Sequence, residues 1–404
     1  MSWTTFTLRV ETPLFSGDDP ASGSTDSPIR VSSIRGALRF WFRAVAAGHG
    51  INDLSALWAE EERVFGSVKV PSPIRLRIGG SPSASGQGSV PDWAGGPRHR
   101  GFHGAHYLLG QGLWSYRDKL TRPFVAPGRT VKLQVKLSDD EQINRCFLLA
   151  MWAWLTYGGL GARTRRGFGR LRCVGIDGEL PKPFPTALTV AHDMAGWSRL
   201  VTDAIPPDLP RPDQWPALLV EPGDPARPPD FPTLCPSWWA AIDVDQSRQP
   251  SFGGALDRAG QAWRNFRTNS ATDNEPSQND HSPEWVSAIH GADRRYPVAA
   301  LGLPVGYYST KSKAKAEVNP VLNREPIRRA SPVWLLPVCL PDRSWFVLTH
   351  VFWARLLPAD AALKVTGNIP PTQLDVPTPD LVDQAWNNWL SQASPRLAPD
   401  FYSN

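Results

Sequence analysis

Residues 138–176 of this 404-residue chain read SDDEQINRCFLLAMWAWLTYGGLGARTRRGFGRLRCVGI. The acidic residues at its start complement the positive end of a helix that we predict to run through Thr156. A loop rich in glycine and arginine follows at 158–169. A strand over 168–176 is then predicted to close a folding unit.

The residues before this stretch supply the other elements of that unit. We predict a strand over 3–10, a helix of about 15 residues ending near Gly48, and strands over 68–78 and 130–137. The helix is indicated by apolar residues at helical spacing behind a cap at Ser32 and Ser33. The order β-α-β-β-α-β is that of the ferredoxin-like fold, which RNA-recognition modules also use.

Proline marks the predicted domain boundary. Between Thr202 and Pro236 there are 11 prolines in 35 residues, a density that favours an extended connection. We therefore predict a first domain at 1–180 with a long insertion at about 79–127, a linker at 181–236, and a second, degenerate ferredoxin-like domain at 237–404. The predicted fold class is α+β, with tandem ferredoxin-like (RRM-like) domains and long insertions. A polar stretch at 268–282 is predicted to be flexible.

The loop at 158–169 carries the strongest functional signal. Its glycines let backbone N–H groups approach a ligand, and five arginines with no acidic residue fall between Gly158 and Arg172. Arginine in such a loop suits bidentate phosphate contacts and stacking on exposed bases. The loop is not a Walker A motif, because the Gly-Lys-Ser/Thr ending is missing.

A second basic feature lies on the first helix. Arg35, Arg39 and Arg43 stand at i, i+4 and i+8, where like charges repel unless something negative lies over them. Residues 1–180 hold 23 basic and 15 acidic residues, which favours a polyanionic partner for this half. Pairing of the stripe with the acidic run at 60–62, or plain solvation, explains it equally well.

Two further clusters allow catalytic hypotheses. His99, His103 and His106 could serve as a general base or as metal ligands, but their spacing matches no standard zinc site. Asp18, Asp19 and Asp26 could hold Mg²⁺ for RNA cleavage. We predict no metal site and no cofactor, since solvated or RNA-facing side chains explain both clusters.

Composition excludes several classes of protein. The four cysteines form no C-x-x-C pair, and 20% charged with 41% hydrophobic residues is typical of a globular protein. The longest apolar run, 147–155, is half of what a bilayer requires, and the N-terminus lacks the basic start of a signal peptide. We predict a cytoplasmic protein with no membrane partner.

Several motifs together resemble a known family. They are TPLFSG at 12–17, IRVSSIRGALRFWFR at 29–43, FGS at 65–67, the loop at 158–169, LGLP at 301–304 and RASP at 329–332. This set is similar to the RAMP superfamily of CRISPR proteins, and within it to the first subunits of type III-B (Cmr) effector complexes. The S-x-R-G-x-L-R-x-W-x-R run is specific, whereas a lone Gly-rich loop is not.

The resemblance implies a function. It implies a non-catalytic, RNA-binding subunit that holds the 3′ region of the guide RNA (crRNA), helps to capture target RNA in antiviral defence, and contacts other subunits of the complex. Cutting in such particles is assigned to other subunits, so no catalytic residue is carried over. The alternative is an endoribonuclease of the same superfamily that processes guide RNA or cuts target RNA with a loop His or Asp.

The predicted RNA contacts come from two segments. From the first helix and its start they are Arg30, Arg35, Arg39 and Arg43, and from the loop they are Gly159, Gly161, Arg163, Arg165, Arg166, Phe168 and Arg170. Such a subunit needs no contact to base edges, because guide pairing supplies the sequence specificity and the protein holds the backbone.

Overall fold

The computed structural model describes residues 2–16, 29–51, 53–80, 82–99, 103–110, 112–180, 227–235, 239–242, 248–268, 286–288, 290–308, 313–340, 342–369 and 372–392. The first half contains β1 (Trp3–Val10), α1 (Val31–Gly48), α2 (Leu54–Phe65), β2 (Arg75–Ile78), α3 (Gly104–Leu109), β3 (Trp114–Ser115), β4 (Lys119–Leu120), β5 (Thr130–Lys136), α4 (Glu141–Tyr157) and β6 (Leu171–Asp177). The second half contains β7 (Trp239–Ile242), α5 (Phe252–Thr268), β8 (Val305–Tyr308), β9 (Lys315–Leu322), β10 (Glu325–Pro326), β11 (Val333–Cys339), β12 (Trp345–Val351), β13 (Ala362–Gly367), β14 (Thr372–Leu374) and α6 (Pro379–Gln392).

The first sheet is antiparallel, with strand order β2-β5-β1-β6. Along β1, buried residues alternate with half-buried ones, so that Phe6, Leu8 and Val10 face the core. The buried stripes of α1 and α4 pack in the same core. The chain is therefore α+β with antiparallel sheets, and this sheet has the strand order that the predicted β-α-β-β-α-β unit requires.

Several predicted boundaries differ from the structure. The strand predicted over 68–78 is confined to β2, because Pro71 and Pro73 precede it and Val68 is fully exposed. The last strand begins at Leu171 rather than at residue 168. Helix α1 begins one residue earlier than predicted, with Arg30 at the N-cap, so the predicted capping serines lie in its first turn. Helix α2 was not predicted at all.

The insertion at 79–127 packs against the second half. Its helix α3 crosses α5 so closely that a Cβ on Gly104 or Gly260 would collide with the backbone of the other helix. The backbone N–H of Gly104 donates to the Asp257 carboxylate at 2.6 Å. Leu108 and Leu109 lie in one apolar cluster with Trp263 of α5. The insertion therefore joins the two halves through a shared core.

The second half contributes a three-stranded sheet, β11-β12-β7, and a five-stranded sheet in which β8 and β10 flank β9 and the order continues through β13 to β14. Strands β11 and β12 form the predicted hairpin, and α5 buries Leu256, Ala259, Trp263 and Phe266 as its spacing predicts. Trp334 on β11 packs in the same cluster as Trp41 on α1. The halves thus meet over an apolar surface.

Some predictions fall on residues that lie outside the described part of the chain. These are most of the Pro-rich connection, at 181–226, most of the polar stretch at 268–282, and the three aspartates of the first loop. No helix in the ranges given above combines the length and the apolar character needed to cross a bilayer.

Candidate nucleic-acid interface

A cavity of about 510 Å³ opens where the Gly/Arg loop, the first turns of α1 and the start of β11 meet. Its lining residues are Phe15, Ser16, Arg30, Ser33, Ala37, Phe40, Trp41, Arg122, Gly159, Leu160, Gly161, Ala162, Thr164, Arg165 and Trp334. None of these fifteen is acidic, three are arginines and four are aromatic. The combination of cations and aromatic faces matches the phosphates and bases of a nucleic acid.

The Gly/Arg loop is held in place by the segment that follows β1. The Thr12 hydroxyl donates to the Gly167 carbonyl at 2.7 Å, and the Ala162 N–H donates to the Phe15 carbonyl at 2.8 Å. Gly161 has a φ of +89°, and a Cβ there would collide with the Phe15 carbonyl. A Cβ on Gly159 would meet the Gly169 carbonyl at 2.9 Å. Both predicted glycines therefore fix the shape of the loop through contacts with the protein's own backbone.

Arg165 is the loop cation that faces the cavity. Its guanidinium carbon lies 5.5 Å from the ring centroid of Trp334 and 5.9 Å from that of Phe40. Its Nε is buried and has no hydrogen-bond partner among the described residues. Burial, followed by the nearby charge of Arg329, lowers the pKa of Arg165 to about 10. The side chain therefore stays charged at neutral pH, with no carboxylate to neutralise it.

The start of α1 adds to the positive potential of the cavity. Arg30 is exposed at the N-cap, and Ser33 and Ala37 line the cavity from the first two turns. The first turn of α1 contains no acidic residue, and no side chain caps it. The unpaired N–H groups at this end carry the positive pole of the helix dipole, which favours an anion.

Two other loop arginines have different surroundings. Arg166 donates to the Val333 carbonyl at 3.0 Å and lies 4.5 Å over the Trp263 ring, which connects the loop to the second half. Burial, followed by the charge of Arg267, lowers the pKa of Arg166 to about 9. Arg163 is exposed, with a φ of +63°, and its guanidinium lies against Gly110. Neither side chain lines the cavity.

Arg170 and Phe168 are interior residues, which corrects the expectation that both face RNA. The Arg170 side chain is 3% exposed and donates to the carbonyls of Gly158 at 2.6 Å and Thr156 at 2.8 Å. Phe168 is completely buried, and its ring centroid lies 5.7 Å from that of Phe15. These two residues support the loop from beneath.

The arginine stripe of α1 is partly paired within the protein. Glu61 of α2 is 5% exposed, and its carboxylate accepts from Arg39 at 2.7 Å and from Arg43 at 2.6 Å. Arg39 also donates to the Phe65 carbonyl at 3.0 Å. The pairing that the sequence left open is therefore present for two of the three arginines. Arg35, the third, is half-buried and does not line the cavity.

Replacing Glu61 by alanine is expected to lower the free energy of unfolding by about 2 kcal/mol. The change leaves two guanidinium groups side by side on α1 without their shared carboxylate, and it removes the link between α1 and α2. Urea denaturation of the purified chain measures the loss. Glu62→Ala, one residue further along the helix, is the control and should cost less than about 0.5 kcal/mol. Equal losses in the two variants would contradict a specific role for the Glu61 pairs.

The three histidines lie close together but form no metal site. The ring centroids of His103 and His106 are 5.3 Å apart, and that of His99 is 5.1 Å from His103. His103 Nδ1 caps α3 by accepting from the Ala105 N–H at 3.2 Å, while His106 stacks on Trp114 at 3.7 Å. Burial lowers the pKa of His106 to about 4. In the described ranges, no group of three His, Cys, Asp or Glu side chains is arranged to hold a metal ion.

Sequence reasoning missed part of the cavity. Arg122 comes from the long insertion, and Trp334 comes from β11, more than 150 residues beyond the loop. No spacing signal links these positions to the predicted segments. The only signal near Trp334 was the RASP motif at 329–332, which precedes it directly.

Comparison with known proteins identifies the family. The model of the RAMP superfamily matches residues 7–172. CRISPR system Cmr subunit Cmr1-2 of Pyrococcus furiosus is 30% identical over 177 residues, which cover 41% of this chain and 92% of that relative. Subunit Cmr1-1 of the same organism is 29% identical over 152 residues, which cover 38% of this chain and 42% of that relative.

Solved structures share the fold over nearly the whole chain. The crystal structure of Cmr1 from Pyrococcus furiosus, in the apo form, has a TM-score of 0.54 at 16% identity, over 92% of this chain and 98% of that one. A chain of the type III-B Cmr-beta complex bound to cognate target RNA has a TM-score of 0.52 at 11% identity, over 96% and 99%. The protein belongs to the RAMP superfamily and, within it, to the family of the Cmr1 subunits.

Proposed function

We propose that this chain is a non-catalytic, RNA-binding subunit of a type III-B, RNA-guided effector complex. In that complex it holds the 3′ region of the guide RNA, helps to capture target RNA, and contacts the other subunits. Membership of the Cmr1 family supports the assembly, because the relatives are named as Cmr subunits and one similar chain comes from a complex bound to target RNA. The RNA-binding role rests on the chemistry of the cavity.

The observation that carries the proposal is the cavity at the Gly/Arg loop, with Arg30, Arg122 and Arg165 in its lining and no acidic residue beside them. A buried cation without a carboxylate or a hydrogen-bond acceptor is unfavourable unless a ligand supplies the negative charge. The ribose-phosphate backbone supplies such a charge at every nucleotide. The exposed parts of the aromatic lining can stack on bases without selecting among them.

This chemistry suits a subunit that holds RNA without reading it. Arginines directed at phosphates position a strand but carry no sequence information. In RNA-guided complexes the guide supplies the sequence by base pairing, so the protein needs only the backbone contacts. The proposed role therefore requires no catalytic group and no metal at this site.

The second half of the chain is assigned a degenerate ferredoxin-like unit under the same proposal. Its elements β7, α5, β11, β12 and α6 follow the order β-α-β-β-α, and the sheet order β11-β12-β7 corresponds to three of the four strands of that fold. A strand after α6 would complete the unit, and the residues beyond Gln392 lie outside the described ranges. The five-stranded sheet is then an insertion between the elements of this unit.

Binding of single-stranded RNA by the purified chain, measured at several salt concentrations, tests the proposal. Arg165→Met is expected to weaken binding about tenfold or more, because one charged hydrogen-bonding group is lost from the phosphate site. The slope of log affinity against log salt should fall by about 0.7, the value for one phosphate of a single strand. Methionine keeps the apolar stem of the side chain between the aromatic rings.

Arg294→Ala is the control for the loss of one positive charge. Arg294 is 62% exposed and pairs with Asp375 at 3.2 Å on the second half. Its replacement should leave the affinity within about twofold, as for an exposed ion pair. An unchanged salt slope in Arg165→Met would reject the cavity as the RNA site. RNA cut in these reactions, with cutting abolished by His103→Ala, would instead favour the endoribonuclease.

A further inference from the structure

Arg329, in the second half of the chain, carries an unsatisfied charge beside the cavity. It lies between β10 and β11, where its backbone N–H donates to the Leu303 carbonyl at 3.1 Å and its carbonyl accepts from the Leu303 N–H at 2.7 Å. These two bonds fix the position of the backbone. The side-chain Nε and Nη2 are buried and have no hydrogen-bond partner in the described part of the chain.

Arg165 is in the same situation on the other side. Its Nε is also buried without a partner, and its guanidinium is held over Trp334, five residues after Arg329 on the adjoining strand. The two charges are close enough for each to be felt by the other, since Arg329 contributes to the lowered pKa of Arg165. Neither guanidinium forms an ion pair with a carboxylate of the described residues.

Two like charges buried together without acceptors are unfavourable for folding. The arrangement differs from that of Arg170, whose buried guanidinium is satisfied by two carbonyls, and from that of Arg39, which has a carboxylate. A phosphate group has several acceptor oxygens and a negative charge, so it can accept from two guanidinium forks at once. One anion would thus satisfy both side chains and cancel their repulsion.

We infer that Arg165 and Arg329 together bind a single phosphate group, a phosphodiester of the RNA strand in the cavity. The inference rests on the proposed function and adds to it a second binding residue, from the half of the chain in which no RNA contact was predicted. RNA bound in this way ties the Gly/Arg loop to the segment before β11. The site is then complete only when both halves of the chain are packed together.

A double-mutant cycle with single-stranded RNA tests the inference. Arg165→Met and Arg329→Met are each expected to weaken binding about tenfold. Because both side chains hold one phosphate, the double variant should weaken it by about 10- to 30-fold rather than the 100-fold of independent contacts. The salt slope of the double variant should fall by about 0.7, for one phosphate, and not by about 1.4. Both variants should remain folded, because each removes an unpaired buried charge and keeps an apolar stem.

Arg328→Met is the matched control, since Arg328 is the preceding residue and is exposed. It should change the affinity by no more than about twofold. If Arg165→Met weakens binding and Arg329→Met does not, the inference fails while the proposed function stands. If the unaltered chain does not bind RNA at any salt concentration, the proposed function fails. Independent losses in the double variant would mean that the two arginines hold different phosphates, which overturns the single site.

Thermal unfolding with inorganic phosphate, at constant ionic strength, separates the two sources of a phosphate group. Binding of an anion to the folded chain raises its melting temperature. For an RNA phosphodiester we expect a small shift from millimolar phosphate, which Arg329→Met abolishes, together with the weakened RNA binding described above. A shift abolished by Arg329→Met while RNA binding is unchanged would identify free phosphate as the ligand and overturn the assignment to RNA.

Discussion

Replacing Gly169 by alanine is expected to lower the free energy of unfolding by more than about 3 kcal/mol and to remove RNA binding with it. Gly169 has a φ of +71°, in the left-handed region, and a Cβ there would run into the Leu160 carbonyl. That collision cannot be relieved by a small shift, because the Leu160 N–H donates to the Gly169 carbonyl at 2.9 Å. The two backbones are therefore held together where the loop closes.

The same substitution at Gly128 is the control for the backbone angle. Gly128 has a φ of +88°, but nothing lies within 4 Å of the position of a Cβ. Gly128→Ala should therefore cost only the left-handed penalty, about 1 kcal/mol. Denaturant unfolding of both variants, together with RNA binding at one salt concentration, measures the difference. Similar losses at the two positions would show that the contact with Leu160 is not what requires glycine.

The first sheet could be predicted from the sequence because its elements are long and periodic. Strand β1, helix α1 and helix α4 each bury one clear apolar face, so local patterns identify them. Helix α2 was missed because its exposed face carries Leu54 and Trp58, which are 52% and 61% exposed and obscure the helical periodicity. The five-stranded sheet was missed because its strands are short and pair across long stretches of chain.

The site was predicted in outline but not in its individual residues. The sequence indicated two arginine-bearing segments, and the structure brings the first turns of α1 and the Gly/Arg loop to one cavity. Spacing could not show that Arg39 pairs with Glu61 or that Arg170 turns inward, because both outcomes depend on carbonyl and carboxylate groups from other elements. The RNA contacts of all the predicted residues remain predictions.

Arg170 and Arg165 lie five residues apart in one loop, and their replacement is expected to have opposite consequences. Burial lowers the pKa of both side chains to about 10, so both are buried cations at neutral pH. Arg170 differs in that its two hydrogen bonds satisfy the carbonyls of Thr156 and Gly158. These carbonyls belong to the end of α4, where the helix leaves its last acceptors unpaired.

Arg170→Met is therefore expected to lower the free energy of unfolding by about 3 kcal/mol, because two buried carbonyls lose charged donors at once. Arg165→Met removes a charge that has no protein acceptor at its Nε, so it should cost less than about 1 kcal/mol while weakening RNA binding about tenfold. Urea denaturation of the two variants, in the absence of RNA, measures the contrast. A loss for Arg165→Met as large as that for Arg170→Met would mean that the protein itself satisfies Arg165. The cavity would then have no unmet charge to offer to a phosphate, and the charge argument for RNA binding at this site would fail.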